Sequence, residues 1–171
     1  MSLKFYLASL LVITLVPSAV IAKEPAPFTY SDLPGLEASA AVMRRDPSDV
    51  IKVGDTYYVW YTKGPVFHGY EATIWYATST DGRTWKERGE SVQRGSVGSW
   101  DEQSVFTPSI LVADNKYWLY FTAVPKPFTN VGDRVTKSAI GLAVADSPEG
   151  PWRKLPEPIL RCTDDTALFD S

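Results

Sequence analysis

The residues of this sequence best suited to chemistry are carboxylates placed just ahead of apolar, alternating segments. Asp46 stands in RDPSDVIKV, where Pro47 and Ser48 fix the turn behind it, and Asp101 and Glu102 stand in WDEQSVFTPSILV. Two carboxyl groups flanking a bond, one protonated to help the leaving group and one ionised to activate water, are what acid–base cleavage of a glycoside requires. Gln103 and Thr107, in the same segment as the second acidic pair, carry amide and hydroxyl groups able to hydrogen-bond sugar hydroxyls. Other chemistries have less to work with. The chain has one cysteine, Cys162, and one histidine, His68, so it offers no internal disulfide, no Cys/His metal spacing and no neighbouring thiol and base. His68 reads as a surface residue of a loop, and Cys162 as a small apolar packer. Net charge is −3 with no basic block, which argues against a phosphate-backbone partner; nucleic acid is not expected.

Something must hold these carboxylates, and the sequence around them has period two. VIKVGDTYYVWYTK reads as strand, Gly-Asp turn, strand, and TIWYATSTDGRTWKERG as strand, Asp-Gly turn, strand. The arrangement then repeats: TPSILVADNKYWLYFTAV echoes PSDVIKVGDTYYVWYTKG, and IGLAVADSPEGPWRKLPEP echoes IWYATSTDGRTWKERGES, so that Tyr57 falls on Tyr117 and Trp85 on Trp152. Four strands per repeat, with a Trp opening each fourth strand, predict the blades of an all-β propeller. The six Trp and nine Tyr suit strands and also suit stacking on ligands. STDGRTW resembles the Asp-box turn of sialidase-type propellers. Asp81 and Trp85 are therefore expected to be fold markers, the carboxylate closing an Asx turn and the indole packing between sheets.

Residues 1–22 have the layout of a signal peptide, with Lys4, an apolar run from Leu10 to Val16, and small residues before Lys23. The expected location is secreted or periplasmic, with no membrane attachment after removal. Residues 23–42 form an N-terminal segment in which GLEASAAVM predicts one or two helical turns. A partial β-propeller follows over 43–171, with blade one at about 46–93 and blade two at about 104–160. Propellers carry about four to eight blades, so two four-stranded blades and the remnant LRCTDDTALFDS predict a truncated chain.

In a propeller the first strand of each blade lines the central channel, which predicts that Asp46, just ahead of such a strand, aims its carboxylate into the mouth. In blade two Ser109 after Pro108 matches Ser48 after Pro47, and Thr107 takes the place of Asp46. Asp101 and Glu102 lie just upstream, where they are either solvated loop acids or site residues. Trp75 and Trp100 are either packing between blades or sugar platforms.

RDPSDVIKVGDTYYVWYT resembles the first blade of the five-bladed glycosidases of glycoside hydrolase families 43 and 117. Ser39, Ala41 and Arg44 in SAAVMR match the Ser-x-Ala-x-x-Arg motif of family 117. The resemblance covers residues 36–171. It implies that Asp46 is the general base of an inverting, exo-acting hydrolase of algal or plant oligosaccharides, of the kind that releases 3,6-anhydro-L-galactose, with Arg44 a site-wall or structural residue. It further implies a homodimer through the N-terminal segment and a general acid from a later blade, so that the chain as it stands lacks a complete site. No cofactor is required and no metal ligands are readable; a divalent cation in the central channel is admitted by family analogy alone. The expected partner is an oligosaccharide. The alternatives are a non-catalytic carbohydrate-binding propeller, with Trp75 or Trp100 as platform, and a structural propeller of the WD type, whose repeat dipeptides this sequence lacks.

Overall fold

The structure, a computed structural model, describes residues 29–37, 39–65, 70–129 and 136–162. Residues 1–22, His68 and the end of the chain from 163 lie outside the described residues. The chain divides into two units at Ser31–Asp32, and every element below belongs to the second.

The described residues form strands and turns with no helix, in two five-stranded antiparallel sheets. The first comprises β1 (Val42–Arg45), β2 (Ile51–Val53), β3 (Thr56–Pro65), β4 (Thr73–Ser79) and β5 (Lys86–Val92). Its order is β1-β3-β4-β5, and β2 also pairs with β3. The second comprises β6 (Ser104–Ala113), β7 (Lys116–Val124), β8 (Ala139–Ala145), β9 (Arg153–Lys154) and β10 (Leu160–Arg161), and β9 and β10 both pair with β8. Each repeat is thus a four-strand meander in which one strand is interrupted, the innermost in blade one and the outermost in blade two. The hairpins turn where predicted: Gly54 and Gly82 take positive φ, 58° and 71°, and Asp114 and Asn115, at 52° and 55°, make a tight turn between β6 and β7.

Two expectations fail at the N-terminal side. GLEASAAVM makes no helical turn among its described residues; a turn at 34–36 leads into β1, so the first sheet begins at Val42 rather than near 46. Alanine favours helix, but Arg45 pairs with Thr62 and Val42 with Pro65, and those ladder bonds decide the local structure.

Alternation along β3 sorts its side chains onto two faces. Tyr58 and Trp60 join Ile74 and Val92 against Val105, Ile110, Leu119 and Phe121 of the second sheet. Trp60, Phe121, Ile74, Leu119 and Val105 are almost fully buried in that layer. At about 1.5–3 kcal/mol for each large apolar side chain, this layer is the main attraction between the blades. Trp152 closes it by meeting Trp60 edge-on at 5.7 Å, and Trp100 stacks on Phe121 at 6.0 Å. The other face of β3 carries Val59 and Tyr61, packed with Ala77 and Trp85. Asp81 Oδ1 accepts from the Arg83 and Thr84 amides at 2.8 Å each, and these bonds with the Ser79 hydroxyl hold its carboxyl down at about 2.

Candidate active site

Asp46 lies within the innermost strand rather than ahead of it. β1 and β2 are two pieces of one strand along β3, and residues 46–50 bulge out between them: Arg45 pairs with Thr62, and the ladder resumes at Ile51 opposite Tyr58. Ser48 keeps the interruption tied down. Its amide donates to Trp60 O at 2.8 Å and its hydroxyl accepts from Trp60 N at 3.1 Å. Asp46 itself takes a left-handed backbone, φ 50°.

Blade two repeats this geometry. β6 bulges between Phe106 and Ser109, and Thr107, the residue aligned with Asp46, has φ 47°. A β-branched residue in that region costs about 1–3 kcal/mol and persists only when its surroundings impose it. Here Thr107 N donates to Thr62 Oγ1 at 2.9 Å, and the Thr107 and Thr122 hydroxyls meet at 2.7 Å. Thr62 pairs with Arg45 in its own sheet, so the two kinks adjoin across one fully buried threonine. Further bonds tie β6 to blade one at the same end of the sheets, Val105 N to Ala72 O and Ala72 N to Ser104 Oγ, each 3.1 Å.

The Asp46 side chain is 36 % exposed, with Oδ2 3.2 Å from Arg45 Nε. The Arg45 guanidinium lies 5.9 Å from the centre of the Tyr70 ring, and Tyr70 meets Phe106 edge-on at 5.5 Å and Phe128 at 4.1 Å. A half-open carboxylate beside a cation and an aromatic wall can orient a water molecule against a bound sugar ring. The sequence reading missed Arg45, Tyr70, Phe106 and Phe128.

The other expected residues divide into three groups. Thr107 occupies a kink like that of Asp46 and adjoins it through Thr62. Glu102 and Gln103 lie on the connection between the blades: Glu102 Oε2 accepts from Gly98 N at 2.7 Å, and Gln103 Nε2 donates to Tyr70 O at 3.0 Å. Asp101 is no solvated loop acid, for it is 2 % exposed, accepts from Ser99 Oγ at 2.8 Å, and pairs with Lys154 Nζ.

Arg44 and Trp75 occupy the face of blade one turned away from blade two. Arg44 Nε donates to Glu87 Oε2 at 3.0 Å and Arg44 Nη1 to Glu37 O at 3.2 Å, while Ser39 Oγ accepts from Val42 N at 2.8 Å. The Ser-x-Ala-x-x-Arg segment is therefore a clasp that fastens β1 to β5. Lys63 Nζ and Tyr61 Oη also donate to Glu87, and Lys63 sits 3.5 Å above the Trp75 ring. Burial alone would raise the Glu87 carboxyl, but the bonds from Lys63, Tyr61 and Arg44 prevail and hold it at about 2; burial and the Glu87 charge push the Tyr61 phenol up. Trp100 is part of the packing in the inter-blade layer. No group of three or more His, Cys, Asp or Glu side chains is placed to hold a metal ion among the described residues.

Three comparisons bear on this geometry. A xylan 1,3-beta-xylosidase from a Vibrio species is 30 % identical over 72 % of this chain, which spans 22 % of that protein's length. The solved structure of Zg3597, a family 117 glycoside hydrolase from the marine bacterium Zobellia galactanivorans, is 34 % identical with a TM-score of 0.65 over 74 % of this chain and 42 % of its own. A GH43_1 enzyme from Xanthomonas citri, 22 % identical with a TM-score of 0.56 over 71 % of this chain and 34 % of its own, shares the fold. Residues 40–171, the span holding both blades and Asp46, match the family Glycosyl hydrolases family 43, and to that family this chain belongs.

Proposed function

We propose that Asp46 is the general base of an inverting, exo-acting glycosidase of algal or plant oligosaccharides, with ends bearing 3,6-anhydro-L-galactose among its substrates. The observation that carries this reading is the kinked, half-open carboxylate beside Arg45 in a chain of a family of glycosyl hydrolases. Asp46 polarises a water that attacks the anomeric carbon from the face opposite the leaving group, and a carboxylic acid across the bond protonates the departing oxygen. Of the two entrance positions Asp46 supplies one carboxyl group, and Thr107 occupies the other. The acid is assigned to the part of its relatives that this chain does not span. On this reading the chain alone binds saccharide with little or no turnover. Export through residues 1–22, and pairing of two copies through the N-terminal segment, complete the proposal.

The test compares the parent sequence with Asp46→Asn on neoagarobiose and aryl xylosides or arabinosides, both in this chain and in any longer form that carries it. Turnover in the longer form should fall by about 10²–10⁴ in the variant; undiminished turnover removes Asp46 from the catalytic set. Thr107 at the equivalent kink favours a second reading, a non-catalytic carbohydrate-binding propeller. Saccharide binding with no turnover in any form decides for that one.

A further inference from the structure

Two sets of charged side chains in this molecule contrast with one another. Those of the Arg44–Glu87–Lys63 clasp and of the Asp101–Lys154 pair are committed to one another, and their role is architectural. A second set surrounds a cavity of about 430 Å³ between the blades, lined by Glu71, Glu90, Arg94, Glu102, Gln103 and Lys126 among others. That volume lies within the range of about 300–1,000 Å³ of small-molecule sites. The side chains of Glu71, Glu90 and Lys126 make no hydrogen bond or ion pair to other described residues, so their bonding capacity is open to a ligand.

The cavity adjoins the mouth. Glu71 follows Tyr70, which lies beside the Arg45 partner of Asp46 and receives the amide of Gln103. Its wall is also held in place before any ligand arrives. Gly95 N donates to Asp101 O, Ser99 N to Ser96 O and Glu102 N to Ser99 O, and the buried Asp101–Lys154 pair anchors the loop to β9. A wall fixed in advance loses little freedom on binding.

We infer that this cavity is a distal subsite, holding sugar units beyond the first two counted from Asp46, and that it selects neutral, hydroxyl-rich saccharide. Carboxylates accept from hydroxyl pairs, while Lys126, Arg94 and the Gln103 amide provide donors and an acceptor for the remaining oxygens. Three carboxylates against two cations repel a chain carrying a negative charge on every unit. The inference rests on the reading of Asp46 as the residue at the terminal sugar.

The test is calorimetric titration of this chain with neoagarobiose, neoagarohexaose and a hexamer of galacturonate. The variants are Glu71→Ala/Lys126→Ala, Glu102→Gln and Asp46→Ala, each checked for native tryptophan fluorescence. The hexaose should bind about tenfold tighter than the biose, a difference of about 1.4 kcal/mol. Glu71→Ala/Lys126→Ala should bring the hexaose down to the affinity of the biose while leaving the biose unchanged, and Glu102→Gln should reduce the gain in part. A biose that binds through Asp46 with no gain in the hexaose, or a gain unchanged in the cavity variants, overturns the subsite alone. Tighter binding of galacturonate overturns the ligand class. Loss of all saccharide binding, or biose binding unaffected by Asp46→Ala, overturns the reading of Asp46 and the subsite with it.

Discussion

Replacing Lys154 by Met tests whether Asp101 belongs to the architecture. The ammonium donates both to Asp101 Oδ2 and to Gln93 O, joining β9 of blade two to the connection that leaves blade one. Met keeps most of the apolar stem and removes the charge, so Asp101, 2 % exposed, is left with Ser99 as its side-chain donor. Breaking a buried pair from one side costs about 3–5 kcal/mol. The Lys154 side chain is 26 % exposed, so water screens part of the interaction, and the expected loss falls below that range, at about 2–3 kcal/mol. At about 2–4 °C per kcal/mol for a chain of this size, the melting temperature should fall by about 4–12 °C. Urea unfolding followed by tryptophan fluorescence should show a lower midpoint with an unchanged slope. Asp101→Leu combined with Lys154→Met should recover most of the loss, since no unpaired charge then remains buried. A single-variant effect within about 0.5 kcal/mol, the size of an ordinary surface change, or a double variant that merely adds the two losses, would refute the assignment.

Two further outcomes follow from the packing and from the clasp. A methyl group at Gly141 would lie within 2.6 Å of ring atoms of both Phe121 and Trp100, and Phe121 is almost fully buried with little room to retreat, so Gly141→Ala should cost about 1–3 kcal/mol in the same urea assay. Glu87→Gln should lower the melting temperature near neutral pH. The Glu87 carboxyl titrates at about 2 in the folded chain against an ordinary 4.5, so its contribution is fully present above about pH 4.5 and disappears as pH falls toward 2. The gap between parent and variant melting curves should narrow across that window; a gap independent of pH contradicts the clasp.

The sheets were legible because their alternation and turn residues are local. Val59 and Tyr61 against Tyr58 and Trp60, Gly54, Gly82 and the Asp81 turn each declare themselves within a few positions. β1 was not, since its alanine-rich approach suits a helix and only the distant edge of β3 makes it a strand. Asp46 and its counterpart Thr107 could be found from the repeated Pro-Ser, but the companions of Asp46 could not: Tyr70 and Phe128 come from two connections and Phe106 from β6, and they meet only when the blades pack. Asp101 was ambiguous for the same reason, because Lys154 is 53 positions away.

The twin left-handed kinks at Asp46 and Thr107 have an evolutionary consequence. Backbone shape at these two positions is fixed by the ladder around them, whereas the side chain mounted there differs from one repeat to the next, acid in the first and alcohol in the second. The chemistry offered by such an array can change by exchanging a single residue per repeat, with the kink of the strand left as it was.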